Sequence, residues 1–441
     1  MTITLRPYQV DAVDRTEAAW AGGAQVVMYQ GPTGSGKTEV TAHIFGEHDG
    51  AWSLTAHRSE LLGQLSLALA KRGVKHDLIC STATRRIIAA LHVQTLGACY
   101  LVTGHRGRVS SVDTLIRAKG IESWAAQVSL WGADEGHHCC AAHKPDGTIC
   151  TDGSNKWGKS VALFPRTARG FLPTATPWRG DGKGLGRHAD GLADVLIEGP
   201  TPRWLIEQGY LTDYDVVCPP SDMKILADVA ASGDWSPKVL KEASQRSHIT
   251  GDVVSSYRKF AWGKIGATFA TDVETATLMA AAYRAAGVPA EVLTGETDPR
   301  LRASILARLE RREIWQICVV DIISEGTDLP ALEVITMARP TMSLSLYLQI
   351  FGRVLRTMYA AGFDITTQLG RLAAIAAGSK PRALLIDHVG NFVRHQGGPD
   401  APRVWTLDRR ERRSKGASDA ESLRVCTESF KPYKHVVTPY P

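Results

Sequence analysis

The chain has 441 residues, 44% hydrophobic and 22% charged, with a formal net charge of +6 and a pI near 8.8. This length exceeds one ordinary core, so we expect at least two domains in a soluble globular protein. No run of 18 apolar residues occurs, which excludes a membrane-spanning segment, and the mild basicity permits a nucleic-acid partner without demonstrating one.

The N-terminal stretch and the cysteines indicate the compartment. The stretch MTITLRPYQVDAVDRTEAAW lacks the basic and then apolar layout of a signal peptide. Eight cysteines are scattered irregularly, which predicts free thiols in a reducing environment. We therefore expect a cytoplasmic protein with no membrane partner.

The sequence GPTGSGKT at residues 31–38 has every fixed position of the phosphate-loop pattern G-x-x-x-x-G-K-[ST]. Apolar residues 24–29 predict a buried strand before it, and a helix is expected from Lys37. An ordinary Gly-rich turn would not need all these positions. Backbone N–H groups would cradle the phosphates of ATP, Lys37 would reach the β- and γ-phosphates, and the Thr38 hydroxyl would bind Mg²⁺. The predicted nucleotide-binding residues are Thr33, Gly34, Ser35, Gly36, Lys37 and Thr38.

A second acidic strand end is needed to complete such a site, and VSLWGADEGHH offers one. Residues 128–133 are moderately apolar and end in an acidic pair. Asp134 is predicted to hold Mg²⁺, and Glu135 to polarise the water that attacks the γ-phosphate.

The residues after this pair allow a competing interpretation, a zinc site. Cys139, Cys140, His143 and Cys150 could supply four ligands. Structural zinc sites pair their ligands at short, regular spacings, and this spacing fits poorly. We favour free thiols in a surface insertion and leave zinc as the alternative.

Further motifs follow in a set order: FLPTATPWR from Phe171, SEGTDLP from Ser324, and LYLQIFGRVLR from Leu346. Together with LRPYQ at the start, the phosphate loop and DEGH, they resemble the DEAD/DEAH-type superfamily-two helicases. The likeness is greatest to the bacterial and phage branch of UvsW-, RecG- and restriction-motor-like ATPases, and it covers residues 5–407. It implies a phage or bacterial origin, and the bacterial host cytoplasm for a phage-encoded protein.

The resemblance assigns roles residue by residue. It implies contact with the adenine end of ATP for Arg6 and Gln9. It implies nucleic-acid contact for His57, Arg58, Thr114, Thr176 and Thr327. It implies coupling of ATP hydrolysis to strand binding for Thr174, and a nucleotide contact for Gly326 and Asp328. It implies completion of the ATP site from the second domain by Gln349, Arg353 and Arg356. From its position next to the acidic pair, His137 is predicted to couple the nucleotide site to TAT or to Gln349.

The sequence departs from this family in four places, the first being the strand before Asp134, which contains Ser129 and Gly132 and is less apolar than usual. Gly136 stands where the family usually has Ala, which should cost helix stability but removes no catalytic atom. Residues 139–159 are longer than the usual link between the acidic motif and TAT. Only Cys426 remains where some relatives carry a cysteine-paired zinc ribbon.

The last motif can also be read from physics alone. Gln349, Arg353 and Arg356 are spaced four and three apart, so on a helix they share one face. Two guanidiniums on one face repel unless an anion lies between them, and phosphate suits their planar donors. The alternative is a solvated basic helix face, which the upstream motifs disfavour.

The alternation of strand and helix patterns occurs twice and predicts an α/β fold: two tandem RecA-like P-loop NTPase domains with one ATP site in the cleft between them. We expect the first domain at residues 1–199, a connecting segment at 200–247 and the second domain at 248–407. Residues 408–441 form a basic tail, with disorder as one interpretation.

The leading hypothesis is an ATP-driven motor on nucleic acid: a DNA helicase or translocase that uses Mg²⁺ and acts on single-stranded or forked DNA. Backbone contacts carry no sequence information, so we expect binding without sequence specificity. Three alternatives stay open: a duplex translocase that remodels forks without free unwinding, an RNA helicase, and a recruitment scaffold with a vestigial ATP site. Protein partners are not predicted.

Overall fold

The computed structural model describes residues 4–139, 156–220, 222, 234–320, 332–410 and 423–434. The chain divides into two compact units. Unit 1 comprises Met1–Pro200 and Val404–Arg412, and unit 2 comprises Thr201–Arg403 and Arg413–Pro441. Each unit is built on a parallel sheet flanked by helices, which confirms the predicted α/β class. No helix in the described part of the chain combines the length and apolar character needed to cross a bilayer.

Unit 1 contains a seven-stranded parallel sheet in the order β3-β4-β2-β5-β6-β1-β7. Its strands are β1 Val26–Gln30, β2 Ala51–Ala56, β3 Asp77–Ile79, β4 Gly107–Ser111, β5 Val128–Ala133, β6 Arg169–Thr174 and β7 Val195–Glu198. Its helices are α1 Pro7–Ala21, α2 Lys37–Gly46, α3 Ser59–Lys71, α4 Thr82–Leu96, α5 Val112–Leu115, α6 Glu122–Ala125 and α7 Lys156–Val161, with a 3₁₀ turn at Gly136–His138.

Both faces of this sheet are covered. All five residues of β1 are buried, as expected for a central parallel strand. Val27 and Tyr29 belong to one apolar cluster, whereas Val26 and Met28 belong to another. Because successive side chains of a strand point to opposite faces, the two clusters lie on the two sides of the sheet. The apolar run before the phosphate loop is therefore a fully buried strand.

Unit 2 contains a six-stranded parallel sheet in the order β10-β11-β9-β12-β13-β8. Its strands are β8 Tyr214–Val217, β9 Gly266–Phe269, β10 Ala290–Leu293, β11 Gln316–Val319, β12 Val334–Met337 and β13 Ala383–Asp387, and a separate antiparallel pair is formed by β14 Leu423–Val425 and β15 Pro432–Lys434. Its helices are α8 Pro202–Glu207, α9 Pro237–Gln245, α10 Ile249–Phe260, α11 Val273–Ala285, α12 Pro299–Glu310, α13 Leu344–Val354, α14 Gln368–Ala376 and α15 Asn391–Arg394.

The division of the chain differs in two ways from the domain boundaries expected at residues 199, 247 and 407. The expected connecting segment contributes β8, which pairs with β13 at the edge of the unit 2 sheet. The end of the expected second domain belongs to unit 1, because the Leu407 carbonyl accepts from the Leu185 and Gly186 amides at 2.8 and 2.9 Å. Both segments are fixed by main-chain pairing between residues far apart in sequence.

A lysine lies buried in unit 2. Lys380 is 1% exposed, and its Nζ donates to the Leu332 carbonyl at 3.0 Å. Burial lowers the pKa of this ammonium group from 10.5 to about 7; the Glu333 carboxylate opposes the shift and the Arg356 guanidinium adds to it. Protonated Lys380 therefore destabilises the folded state.

We predict that Lys380 makes the stability of the protein depend on pH. Between about pH 7 and 10.5 the unfolded chain binds this proton and the folded chain does not. The free energy of unfolding should therefore gain a term that rises with pH, by up to about 1.4 kcal/mol per pH unit. Lys380→Met keeps the length of the side chain and should lack this term. Urea unfolding of both proteins from pH 7 to 10 measures it, and equal slopes would contradict the prediction.

Candidate functional site

The predicted nucleotide-binding motifs of unit 1 lie at one edge of its sheet. The phosphate loop follows β1, the acidic pair follows β5, and TAT follows β6, which runs between those two strands. The Gly31 amide donates to the Thr174 carbonyl at 2.9 Å, so the loop starts directly beside the end of β6. Carboxyl ends of parallel strands are where α/β sheets bind ligands.

Two glycines shape the phosphate loop. Gly34 and Gly36 have φ values of 88° and 82°, in the left-handed region that other residues rarely adopt. Gly36 caps α2, whose first amides then lie at a positive helix end. The Lys37 Nζ donates to the carbonyls of Gly31 and Pro32 at 2.9 and 3.4 Å, so its ammonium group lies folded against the loop.

The start of α1 holds the phosphate loop from outside. The Tyr8 hydroxyl and the Gln9 Nε2 both donate to the Ser35 carbonyl, at 2.8 and 3.1 Å. The Gln9 Oε1 accepts from the Arg6 amide at 2.9 Å, so in this structure the amide of Gln9 is engaged by protein on both sides. The adenine contact stays a prediction for Arg6 and Gln9. Tyr8 was not among the predicted site residues, although it lies between them in RPYQ.

The acidic pair has a strained backbone. The Asp134 amide donates to the Thr55 carbonyl at 2.9 Å, which extends the β2–β5 pairing to this residue. Glu135 then adopts φ 52° and ψ 54°, a left-handed conformation that is costly for a residue with a Cβ. The turn aims the Glu135 carboxylate back towards His137, with 3.4 Å between its Oε2 and the Nδ1 of His137.

His137 joins the acidic pair to TAT. Its Nδ1 lies 2.9 Å from the Thr174 Oγ1, as well as 3.4 Å from Glu135. The Thr174 hydroxyl in turn donates to the Thr176 carbonyl at 3.1 Å. The sequence predicted a coupling role for His137 and Thr174, and the structure brings these two side chains into contact.

Gly136 lies where β6 leaves no room for a side chain. A Cβ at this position would stand 2.7 Å from the Leu172 Cβ and 2.9 Å from the Leu172 carbonyl carbon. Separations below 3.0 Å require the neighbour to shift, and here the neighbour includes main chain of a central strand. The glycine that departs from the usual Ala is thus matched to a close approach of the 3₁₀ turn to β6.

Three rings connect the acidic motif with the first predicted nucleic-acid motif. The His138 ring stacks on Trp157, with centroids 6.2 Å apart, and the His57 ring meets both edge-on at 5.4 and 6.1 Å. Next to Trp157, the Lys156 Nζ lies 3.2 Å from the carboxylate of Asp113, the neighbour of Thr114. Helix α7 therefore contacts both predicted nucleic-acid segments, those at His57–Arg58 and at Thr114.

The three residues of TAT are buried. Thr176 is 0% exposed, and its amide donates to the Thr174 Oγ1 at 3.2 Å. The Thr176 side chain is therefore buried in this structure, and its nucleic-acid contact stays a prediction. Trp178, two residues later, is only half-buried, and the Arg410 guanidinium lies 3.5 Å from the centroid of its ring.

In unit 2, helix α13 carries two of the three residues of the last motif. Gln349 and Arg353 are 5% and 6% exposed and lie one turn apart on the helix. The helix ends at Val354, so Arg356 lies beyond it, next to Leu355, whose carbonyl accepts from the Thr212 amide. The shared helical face predicted for all three residues therefore holds for Gln349 and Arg353. Burial lowers the pKa of Arg356.

Several predicted residues lie outside the described residues. These are Gly326, Thr327 and Asp328, and three of the four candidate zinc ligands, Cys140, His143 and Cys150. Cys139 is described, and its side chain is buried in the apolar cluster that includes Trp157. Within the described ranges, no group of three or more His, Cys, Asp or Glu side chains is arranged to hold a metal ion. Thr38 and Asp134 remain the predicted magnesium residues.

Comparison with known proteins covers both units. The profile of the family described as "Type III restriction enzyme, res subunit" matches residues 2–177, and that of "Helicase conserved C-terminal domain" matches residues 262–358. A 51.5 kDa protein of a Lactococcus phage (isolate 7-9) is 29% identical over 382 residues, covering 86% of this chain and 68% of that protein.

A Saccharomyces cerevisiae protein, provisionally named ATP-dependent helicase IRC3, is 25% identical over 373 residues. The match covers 80% of this chain but 49% of the yeast protein, so the chain spans about half the length of that relative. A fragment of a type I restriction enzyme from Vibrio vulnificus, provisionally its HsdR subunit, superposes with a TM-score of 0.57 at 17% identity. It covers 90% of this chain and 66% of that chain, and it shows that the folds are alike.

These findings define the class: tandem RecA-like units, the first of which carries a phosphate loop and an acidic pair at one sheet edge. The two family profiles and the helicase-named relatives support a superfamily-two helicase of the restriction-motor type that hydrolyses ATP. The resemblance carried by the order of the motifs is thereby confirmed.

We predict that Gly136→Ala destabilises the protein. The added methyl group forces the 3₁₀ turn away from β6, and overpacking of this kind costs about 1–3 kcal/mol. Gly251→Ala is a matched control, because this glycine lies in α10 with nothing within 4 Å of the added methyl group. The control should be neutral or stabilising by up to about 1 kcal/mol. Chemical denaturation measures both, and an unchanged midpoint for Gly136→Ala would refute the close-approach argument.

Proposed function

We propose that this chain is an ATP-driven DNA translocase that also unwinds forked or partly single-stranded DNA. One observation carries the proposal: the Nδ1 of His137 lies 2.9 Å from the Thr174 Oγ1 and 3.4 Å from the Glu135 Oε2, and the phosphate loop starts beside Thr174. A site that only binds nucleotide needs no such link. A motor needs one, because hydrolysis at one loop must change nucleic-acid contacts at another.

The residues present suit the binding of ATP with magnesium. The Thr38 hydroxyl and an Asp134 oxygen are hard ligands of the kind Mg²⁺ prefers, and the ion would neutralise charge on the β- and γ-phosphates. Lys37 now donates to two loop carbonyls. On ATP binding its ammonium group exchanges these contacts for phosphate oxygens, a stronger charge-assisted interaction.

Glu135 is the proposed general base. Its carboxylate orients and polarises the attacking water, and His137 holds that carboxylate in place through the 3.4 Å contact. When the charge at the γ-phosphate changes, the balance of contacts between Glu135 and His137 changes with it. The hydrogen bond between the same His137 nitrogen and the Thr174 hydroxyl, at 2.9 Å, then becomes stronger or weaker.

Unit 2 is proposed to supply the groups that stabilise the charge of the transferring phosphoryl group. Arg353 and Arg356 suit this role, because guanidiniums present planar donors to phosphate oxygens, and Arg356 stays charged although burial lowers its pKa. Gln349 would orient the γ-phosphate or the water. The roles of Gly326, Thr327 and Asp328 rest on the resemblance.

DNA is the nucleic acid along which the protein is proposed to move, since the profile matching residues 2–177 is that of a restriction enzyme subunit. His57, Arg58 and Thr114 follow the ends of β2 and β4, which are neighbours in the sheet. They are proposed to contact phosphates, which explains binding without sequence specificity. The alternatives with the same ATP site are a duplex translocase without free unwinding and an RNA helicase.

The ATP site is tested by three variants. Lys37→Ala should abolish ATP hydrolysis stimulated by nucleic acid, because the γ-phosphate loses its cation. Glu135→Gln should retain ATP binding but lose hydrolysis by a factor of 10² or more, as expected for removal of a general base. Lys71→Ala, at the exposed end of α3, is the control and should behave as wild type. Normal motor function of Glu135→Gln would instead favour the scaffold with a vestigial ATP site.

The proposed nucleic acid is tested by one ATPase panel with single-stranded DNA, duplex DNA, forked DNA and RNA. We expect the greatest stimulation with single-stranded or forked DNA, falling steeply as salt rises because phosphate contacts dominate the affinity. Unwinding of the fork is measured beside displacement of a third strand from a triplex. Triplex displacement without unwinding would favour the duplex translocase, and stimulation by RNA alone would favour the RNA helicase.

A further inference from the structure

The turn between β12 and α13 is held by side chains from a distant segment. Asn391, which is 0% exposed, bonds to main chain on both sides of this turn. Its Nδ2 donates to the Arg339 carbonyl at 2.9 Å, and its Oδ1 accepts from the Thr341 amide at 3.0 Å. One amide group thus satisfies two buried main-chain groups that have no place in the sheet or in the helix.

Asn391 is itself fixed by its neighbours. The Asp387 carboxylate at the end of β13 accepts from the Val389 and Phe392 amides at 3.2 and 2.6 Å, which closes the turn that begins α15. The Arg394 guanidinium donates to the Asn391 Oδ1 at 2.6 Å and to the Val389 carbonyl at 3.0 Å. The amide of Asn391 is therefore oriented by a closed hydrogen-bonded network.

His395 contacts both this turn and helix α13. Its Nε2 lies 2.9 Å from the Thr341 carbonyl, and its ring stacks on Tyr347 of α13 with centroids 4.7 Å apart. Burial lowers the pKa of His395 to about 4, so the ring is neutral at pH 7 and the nitrogen facing the carbonyl carries the hydrogen. The Tyr347 hydroxyl donates to the Gly397 carbonyl at 3.0 Å.

Asp234 also forms hydrogen bonds with this turn, at groups that Asn391 does not contact. It accepts from the Thr341 hydroxyl at 2.6 Å and from the Met342 amide at 2.8 Å. The Thr341 hydroxyl also accepts from the Ser343 amide, and the Ser343 hydroxyl caps the first turn of α13. The start of α13 is thus held by Asp234 as well as by Asn391 and His395.

We propose that Asn391 is a positioning residue for ATP hydrolysis: it fixes the turn from which α13 begins, and thereby the placement of Gln349 and Arg353. The effect on hydrolysis rests on the proposed function of these two side chains. Catalytic groups tolerate little displacement, and a shift of about 1 Å can cost on the order of 10²-fold in rate. No substrate contact by Asn391 is required.

The central test is Asn391→Asp, which keeps the shape of the side chain. A carboxylate oxygen then faces the Arg339 carbonyl, so a donor–acceptor contact becomes repulsive. We expect kcat for ATP to fall at least 10-fold at pH 8, with ADP affinity within twofold of wild type, because the phosphate loop is in unit 1. A protonated carboxyl can donate to the carbonyl again, so the variant's rate relative to wild type should rise as the pH is lowered to 6.

A matched control is Gln368→Glu. The Gln368 Nε2 also donates to a main-chain carbonyl in unit 2, that of Glu207 at 2.9 Å, but at an exposed site on α14. This variant should keep the wild-type rate at both pH values. A general loss of stability in unit 2 would lower the activity of a damaged variant without restoring it at pH 6.

A second readout does not depend on ATP hydrolysis. Asn391→Ala removes both bonds to the turn, so amide hydrogen exchange at residues 341–346 should be at least 10-fold faster than in wild type. Should Asn391→Asp not fold, Thr341→Val removes the bonds to Asp234 and Ser343 and must give the same loss of kcat.

The outcomes separate the two proposals. A wild-type rate in Asn391→Asp at both pH values, or unchanged exchange in Asn391→Ala, would overturn the positioning role. An inactive wild-type protein with every nucleic acid would overturn the proposed function, while the exchange experiment would still decide whether Asn391 holds the turn.

Discussion

A single nitrogen, Nδ1 of His137, contacts two parts of the unit 1 site, at 2.9 Å from the Thr174 Oγ1 and 3.4 Å from the Glu135 Oε2. The Thr174 hydroxyl donates to the Thr176 carbonyl and accepts from the Thr176 amide, so towards His137 it acts as an acceptor. A neutral imidazole with its hydrogen on Nδ1 can donate to Thr174 or to Glu135, but not fully to both. Under the proposed function, a change in the demand for hydrogen bonds at Glu135 would therefore reach Thr174 through this one nitrogen.

This arrangement requires the acidic motif to lie unusually close to β6. Gly136 provides that closeness, because its missing Cβ lets the 3₁₀ turn rest against Leu172. The left-handed backbone of Glu135 contributes to the same close approach, because it turns the chain sharply after β5. Strain at Glu135 and the absence of a side chain at Gly136 are costs in stability that the surrounding sheet offsets, a common pattern at functional sites.

The motifs of this chain could be read from sequence because each depends on local geometry. The phosphate loop needs a buried strand, two glycines and a helix start, all within a short span, and the structure has them at β1, Gly34, Gly36 and α2. What could not be read depends on contacts between distant segments. β8 joins the second sheet only through β13, and the buried Thr176 donates its amide back to the Thr174 Oγ1. Likewise, spacing alone does not reveal that α13 ends before Arg356, where Leu355 pairs with Thr212.

In both units, side chains from a distant segment form hydrogen bonds with the main chain of a loop at the sheet edge. A loop at the carboxyl edge of a parallel sheet leaves main-chain groups without regular partners, and burying them unpaired costs about 1–3 kcal/mol each. In unit 1, Tyr8 and Gln9 satisfy the Ser35 carbonyl of the phosphate loop, and in unit 2, Asn391 satisfies Arg339 and Thr341 ahead of α13. Because these partners lie outside the loops that they hold, a motif can be complete in sequence and still be misplaced in space. The side chains that fix these loops therefore help to determine where the motifs lie in space.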